Sequence, residues 1–157
     1  EIYQCDWSSD VCSSDLTLMC EWAKDTVIDP TSMEKELLKI SYLHGKYLNV
    51  MSHHRHVIRK LENDYKDMKE LRRDYYQGHC DLETLTKYGW DQYQGNAITM
   101  RTSQEEKLST DPNLTKILLK KVAHEEIVLY CETVLKSLNN RTWDLGNYVK
   151  YLQYTKG

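Results

Sequence analysis

The residues whose types and spacing could do chemistry lie between His53 and Gly78. His53 to Lys60 reads HHRHVIRK, and Lys66, Lys69, Arg72 and Arg73 follow before Asp74-Tyr75-Tyr76-Gln77-Gly78. On a helix, Arg55, Arg59 and Lys66 share one face, with Lys60 beside them, while Lys69, Arg72, Arg73 and Tyr76 gather over the last turn. Guanidinium groups for phosphates next to aromatic faces for bases is the composition of a sequence-tolerant single-strand site. Cations in a last turn also complement the helix dipole, so Arg72 and Arg73 have a purely local reading as well. Tyr75 continues the apolar stripe of its helix and is assigned to the core. Tyr76 falls outside that stripe and is assigned to stacking. The candidate nucleic-acid-binding set is therefore Lys69, Arg72, Arg73 and Tyr76, backed by Arg55, Arg59, Lys60 and Lys66.

Other chemistries find no motif. There is no Gly-rich phosphate loop ending in Lys-Ser/Thr, no GxGxxG, no HExxH and no GxSxG. His53, His54 and His56 are spaced i, i+1, i+3 around the expected turn, which suits solvated surface better than one metal. The adjacent pairs Glu105-Glu106 and Glu125-Glu126 read as solvated helix faces. The expectation is a protein that is not an enzyme and that takes no cofactor and no metal.

These side chains need long helices to position them. Only two prolines and six glycines interrupt 157 residues, which suits long helices with few connections. Asp29-Pro30-Thr31 supplies a cap and a first-turn proline. Met33, Leu37, Ile40, Leu43 or His44, Tyr47, and Val50 or Met51 then recur at helical spacing. The rhythm pauses at Ser52-His53-His54 and resumes with Val57, Ile58, Leu61, Tyr65, Met68, Leu71 and Tyr75 until Gly78. Two amphipathic segments around a polar pause predict an antiparallel helical hairpin over 30–78, one unbroken helix being the alternative. Residues 79–111 read as a connector with one short helix near Gln104 to Leu108. Asp111-Pro112 starts a strongly apolar helix that Asn139-Asn140 ends, and a last amphipathic helix follows. The apolar face from Leu114 to Leu138 is broad enough either to pack on the hairpin or to self-associate. The fold class expected is all-α, an N-terminal hairpin plus C-terminal helices that form an oligomerisation core over 112–157.

The formal charge of −3 speaks against a nucleic-acid partner, yet it depends on the N-terminus. Asp6 to Leu16 reads DWSSDVCSSDL, which resembles the translation of a common sequencing adaptor. Residues 1–16 are therefore set aside as an artefact and expected to be disordered, with 17–29 as a lead-in. They hold four of the 24 carboxylates and none of the 21 Lys and Arg. Without them the chain carries +1, and its cysteines fall from five to three, Cys20, Cys80 and Cys131. No CxxC pair suggests zinc or a disulfide framework. With no run of about 18 apolar residues and no basic, cleavable leader, the expected setting is a cytosol.

The run DTVIDPT, a two-helix segment, RRDYYQG and a C-terminal apolar helix resembles the UvsY family of phage recombination mediators. Arg72, Arg73, Asp74, Tyr75, Tyr76, Gln77 and Gly78 carry the most specific part, and Val27, Ile28 and Asp29 support it. The likeness runs from about Lys24 onward and is weakest between Cys80 and Ser109. The family pattern has Lys-x-Arg before Asp-Tyr-Tyr. Its Lys position is occupied by Glu70 here, so the carry-over falls on Arg72, flanked by Lys69 and Arg73. The resemblance implies a ring-shaped homo-oligomer joined through C-terminal helices in the bacterial host cytoplasm. It implies binding to single-stranded DNA and loading of a RecA-like (UvsX-like) phage recombinase onto DNA covered by a phage single-strand-binding protein. The rival reading is a structural helical oligomer or adaptor that binds proteins and not DNA.

The adaptor reading predicts that source reads break at the Leu16–Thr17 junction; continuous native coverage across it would contradict that.

Overall fold

The computed structural model describes residues 9–156, with side chains from 16 to 155. Five helices appear in order: α1 (Ser9–Asp25), α2 (Met33–Gln77), α3 (Leu82–Tyr88), α4 (Arg101–Ser109) and α5 (Pro112–Lys156). The all-α expectation holds for the described residues. No helix among them is long and apolar enough to cross a membrane. The chain divides into two compact units. One is built from the residues up to His56 and from Ala123 onward, the other from Val57–Val122.

In the first unit, Leu43, Tyr47, Val134 and Leu138 form one buried cluster, and Met51, Ile127 and Cys131 form another. Ascending residues on α2 thus meet descending residues on α5, so these segments run antiparallel. On α5, Ile127, Cys131, Val134 and Leu138 recur at four- and three-residue steps, the seam that faces a partner helix. Leu18 of α1 joins both clusters, and Trp22 packs edge-on against Tyr47 at 5.4 Å between ring centres. The Tyr47 hydroxyl and Lys46 Nζ donate to Asp25 Oδ2 at 3.0 and 2.9 Å. Arg141 donates to the carbonyls of Asp25 and Thr26 at 3.1 and 2.6 Å. Those carbonyls, at and just beyond the end of α1, thereby gain partners that the finished helix cannot supply.

Three expectations about the long helices need correction. Residues 30–78 are not a hairpin: α2 is a single helix of 45 residues. Likewise α5 continues through Asn139-Asn140 as one helix to Lys156, so the separate C-terminal helices do not exist. Both failures have the same cause. His54 and Arg141 occupy stripe positions and are half-buried and buried, respectively, so a polar residue carries the inward face across an apparent pause. Neither pause contains the Gly or Pro that would break a helix. The third correction concerns the N-terminus. Ser9 to Leu16, expected disordered, are helical as part of α1. Leu18 and Trp22 dock that helix, and a docked turn propagates at little cost. Residues 1–8 lie outside the described residues.

The start of α2 also sits slightly later than its cap signal. Asp29 Oδ1 accepts from the Thr31 amide and hydroxyl at 2.9 and 2.6 Å, a local turn. The first helical residue is Met33, and the Glu36 amide donates to the Ser32 carbonyl.

The second unit is shaped by two glycine stops and one cap. Gly78 adopts φ +78°, and the amides of Gly78 and His79 donate back to Tyr75 and Asp74 at 3.1 and 2.9 Å. That is a Schellman end, in which glycine avoids the Cβ clash of the left-handed region. Gly89 ends α3 the same way, its amide bonding Thr86 and that of Trp90 bonding Leu85. The expected short helix near Gln104 is α4; α3 is an element the sequence reading did not contain. Asp111 caps α5, its Oδ1 accepting from Asn113 N at 2.8 Å and Leu114 N at 3.4 Å. The expected Asp-Pro helix start is therefore present.

Candidate nucleic-acid interface

The helix end that carries Arg72, Arg73, Tyr75 and Tyr76 is built around a buried ion pair. Arg72 Nε meets Asp111 Oδ2 at 2.6 Å, with side-chain exposures of 8% and 0%. The Tyr76 hydroxyl donates to the same oxygen at 2.6 Å and accepts from Arg72 Nη2 at 3.0 Å. Aromatic rings enclose the guanidinium, whose central carbon lies 4.2 Å from the Tyr75 ring, 4.5 Å from Trp90 and 4.9 Å from Tyr76. Arginine suits this role because its plane stacks on rings while its edge bonds a carboxylate. Tyr93 meets both tyrosines edge-on at 5.4 Å. The Tyr75 hydroxyl bonds the Asp91 carbonyl at 2.9 Å, and the Ile98 amide bonds the Tyr76 carbonyl at 3.0 Å. Buried Gln104 then donates to the Ile98 carbonyl at 2.6 Å. The end of α2 thus holds the connector at Trp90, Asp91, Ile98 and Asp111.

Electrostatics agree with that geometry. Burial pushes the Asp111 carboxyl upward, but hydrogen bonds from Tyr76 and Arg72 outweigh it and hold the group below its ordinary value. Burial, and the bond to Asp111, raise Tyr76. Both charges of the pair stay in place near neutrality.

This placement changes the roles of two residues. Arg72, expected to meet phosphates, is buried with its charge already compensated. Tyr76, expected to stack on bases, is 5% exposed, whereas Tyr75, assigned to the core, is only half-buried. The reason is the 39-residue reach to Asp111, which turns the Tyr76 side of the helix inward. Glu70, at the position where the family pattern has Lys, is exposed.

The remaining cations keep contact with solvent. Lys69 and Arg73 share Glu105, at 2.7 and 3.5 Å, and the bond from Lys69 holds the Glu105 carboxyl low. Arg59, Lys60 and Lys66 are exposed and form no ion pair among the described residues. Arg59, Lys66 and Arg73 stand seven residues apart, with Glu62 and Lys69 at the intervening steps, so they make one stripe along α2. Glu62 is paired with Lys121 at 2.9 Å. Arg55, in the first unit, bonds Glu132 at 2.8 Å. Exposed pairs of this kind contribute little, about 0–1 kcal/mol each.

Of the three clustered histidines, His54 is more than solvated surface. Its Nδ1 lies 2.7 Å from His124 Nδ1. Burial, then the charges of His124 and His53, hold its pKa down to about 4. No group of three metal-ligating side chains occurs among the described residues. Cys131 is buried and its thiol pushed up to about 11, so it is inert packing; Cys20 and Cys80 are free thiols.

A family model described as "Recombination, repair and ssDNA binding protein UvsY" matches residues 21–157. The chain belongs to the UvsY family. Membership makes it a recombination, repair and single-stranded-DNA-binding protein. Crystal structures of the bacteriophage T4 recombination mediator protein UvsY share its fold. One lattice form superimposes with a TM-score of 0.74 at 20% identity, covering 88% of this chain and 96% of that one. Another gives 0.71 at 20% identity over 90% and 96%, and a third gives 0.72 at 19% over 90% and 99%. No curated protein matches the chain in sequence. The UvsY model begins at Glu21, so the adaptor-like run lies before the matched residues.

The buried pair predicts a specific cost. Asp111→Asn keeps the α5 cap but leaves Arg72 without a carboxylate, and stability should fall by about 3–5 kcal/mol in urea unfolding. Because the folded Asp111 value lies below the ordinary 3.8, its contribution is complete above that pH. It is lost as pH falls through the folded value. Asp111→Asn should remove this part of the acid sensitivity; a wild-type-like loss below pH 4 in the variant would contradict the assignment.

Proposed function

We propose that this UvsY-family chain is a recombination mediator that grips single-stranded DNA with the solvent-accessible cations of α2. All of these lie in the second unit: Lys66, Lys69 and Arg73, with Arg59 and Lys60 further along. The observation that carries the reading is the stripe of cations at seven-residue steps, solvated or held only by exposed carboxylates. A phosphate can displace such a carboxylate at little cost, whereas it would have to break a compensated buried pair to reach Arg72. Phosphate neutralisation makes the grip salt-dependent and independent of sequence.

Repetition supplies the affinity that one stripe lacks. Exposed Trp143, Tyr148, Tyr151 and Tyr154 at the end of α5 support self-association through C-terminal residues, and the ring-shaped homo-oligomer is part of the proposal. Linked copies of a weak site raise avidity by a factor on the order of 10²–10⁴. A strand held along such an array is extended, which suits handover to a RecA-like, UvsX-like recombinase from a phage single-strand-binding protein. The site of action would be the cytoplasm of the bacterial host. The work is mechanical, with no bond made or broken.

Titration of an oligo-dT strand at several salt concentrations tests this. Replacing Lys66, Lys69 and Arg73 together by Ala should weaken binding at least tenfold. It should also flatten the salt slope by about 2, from roughly 0.7 per phosphate contact. Equal affinity and slope would exclude the stripe, and no binding by the wild-type chain would favour a structural oligomer that binds only proteins.

A further inference from the structure

The DNA reading leaves base contact unassigned, because the tyrosines of the helix end are committed to Arg72. Tyr76 is inside, and Tyr75 is held by the guanidinium and the Asp91 carbonyl. A groove of about 580 Å³ opens between α2 and α5 in the second unit, floored by Leu61, Tyr65, Ile117 and Leu118. That volume falls within the range of small-ligand sites, roughly 300–1,000 Å³. Lys66, Lys69 and Lys121 line it as well, together with Glu62, whose carboxylate pairs with Lys121 at 2.9 Å. Tyr65 is half-buried and packs on the cluster of Tyr76, Leu108 and Leu114, so its position is fixed by the core while the groove stays open.

We propose that this groove is a nucleobase pocket, taking one unstacked base of single-stranded DNA on Tyr65 with the flanking phosphates on Lys66, Lys69 and Lys121. The inference rests on the reading of α2 as the DNA-binding helix. An apolar floor with one aromatic residue favours a flat, weakly polar ligand, and three ammonium groups favour anions on either side of it. Single-stranded DNA offers both within one nucleotide step, whereas a duplex hides its base faces. Lys69 and Lys121 are held by the exposed carboxylates of Glu105 and Glu62, and a phosphate can exchange with either at small cost. Lys66 and Lys69 belong to the same stripe that tracks the backbone, so base and phosphate contacts are continuous. Base stacking on an aromatic side chain tolerates any base, in keeping with a sequence-independent grip.

Two measurements on the full chain decide it. A 5-iodouracil-substituted oligo-dT strand, irradiated with the wild-type protein, should crosslink to Tyr65. Oligo-dT should bind the wild type roughly tenfold more tightly than an abasic strand of equal length. Tyr65→Leu should bring that ratio near one by lowering oligo-dT affinity. A ratio that survives Tyr65→Leu, with crosslinks on Tyr88 or Trp90 instead, would overturn the pocket. So would equal binding of both strands by the wild type, which leaves the phosphate stripe standing. Loss of the oligomer in Tyr65→Leu would assign the groove to a second copy. Displacement of an acidic peptide rather than DNA would assign it to a protein partner, and either result overturns the proposal. If neither strand binds, the DNA reading itself falls and the pocket with it.

Discussion

The second unit depends on one contact, the buried pair of Arg72 and Asp111. Asp111 does two things at once. Its Oδ1 caps the first turn of α5, and its Oδ2 takes the guanidinium and the Tyr76 hydroxyl. The end of α2 and the start of α5 are thereby fixed to a single carboxylate. The aromatic rings around Arg72 come from α2 and, through Trp90, from the connector, so the same contact ties the connector to the end of α2. A buried charge is costly unless every donor and acceptor around it is used. This cage meets that demand with a carboxylate, a phenol and three ring faces.

From that constraint the surface follows. Turning Arg72 and Tyr76 inward leaves Lys69 and Arg73 on the outer stripe, where Glu105 tethers them. Behind them Lys66, Lys60 and Arg59 remain solvated. The helix end is therefore both a structural hub and the border of a basic stripe, and adjacent residues in the sequence serve opposite purposes. The groove at Tyr65 belongs to the same logic. Tyr65 in it packs on the core beside the ion pair, and Lys66 and Lys69 of the stripe line one side of it.

Much of this was legible in the sequence, and what was not has physical causes. The apolar periodicity gave the helical class, Gly78 its stop and Asp111-Pro112 its start, because those signals are local. The unbroken lengths of α2 and α5 were not legible, because His54 and Arg141 fill inward positions with partners 70 and 115–116 residues away. Helix α3 is only seven residues long and carries too few apolar positions to show a period. The basic cluster was visible as composition, but exposure was not. Arg72 and Arg73 look alike in sequence, and only the distant Asp111 separates them. Tyr65 read as one more stripe residue, since nothing local shows that the helix opposite leaves a groove there.

The account turns on Arg72 acting through the fold and not through contact with DNA. The most direct test is the salt dependence of oligo-dT binding by a double variant, Arg72→Gln with Asp111→Asn. It replaces the ion pair by two amides that can still bond each other and keep the α5 cap. A folded double variant should bind with the wild-type salt slope and an affinity within about threefold, which corresponds to less than 1 kcal/mol. A slope lower by about 0.7, the signature of one lost phosphate contact on a single strand, would contradict it and return Arg72 to the DNA surface.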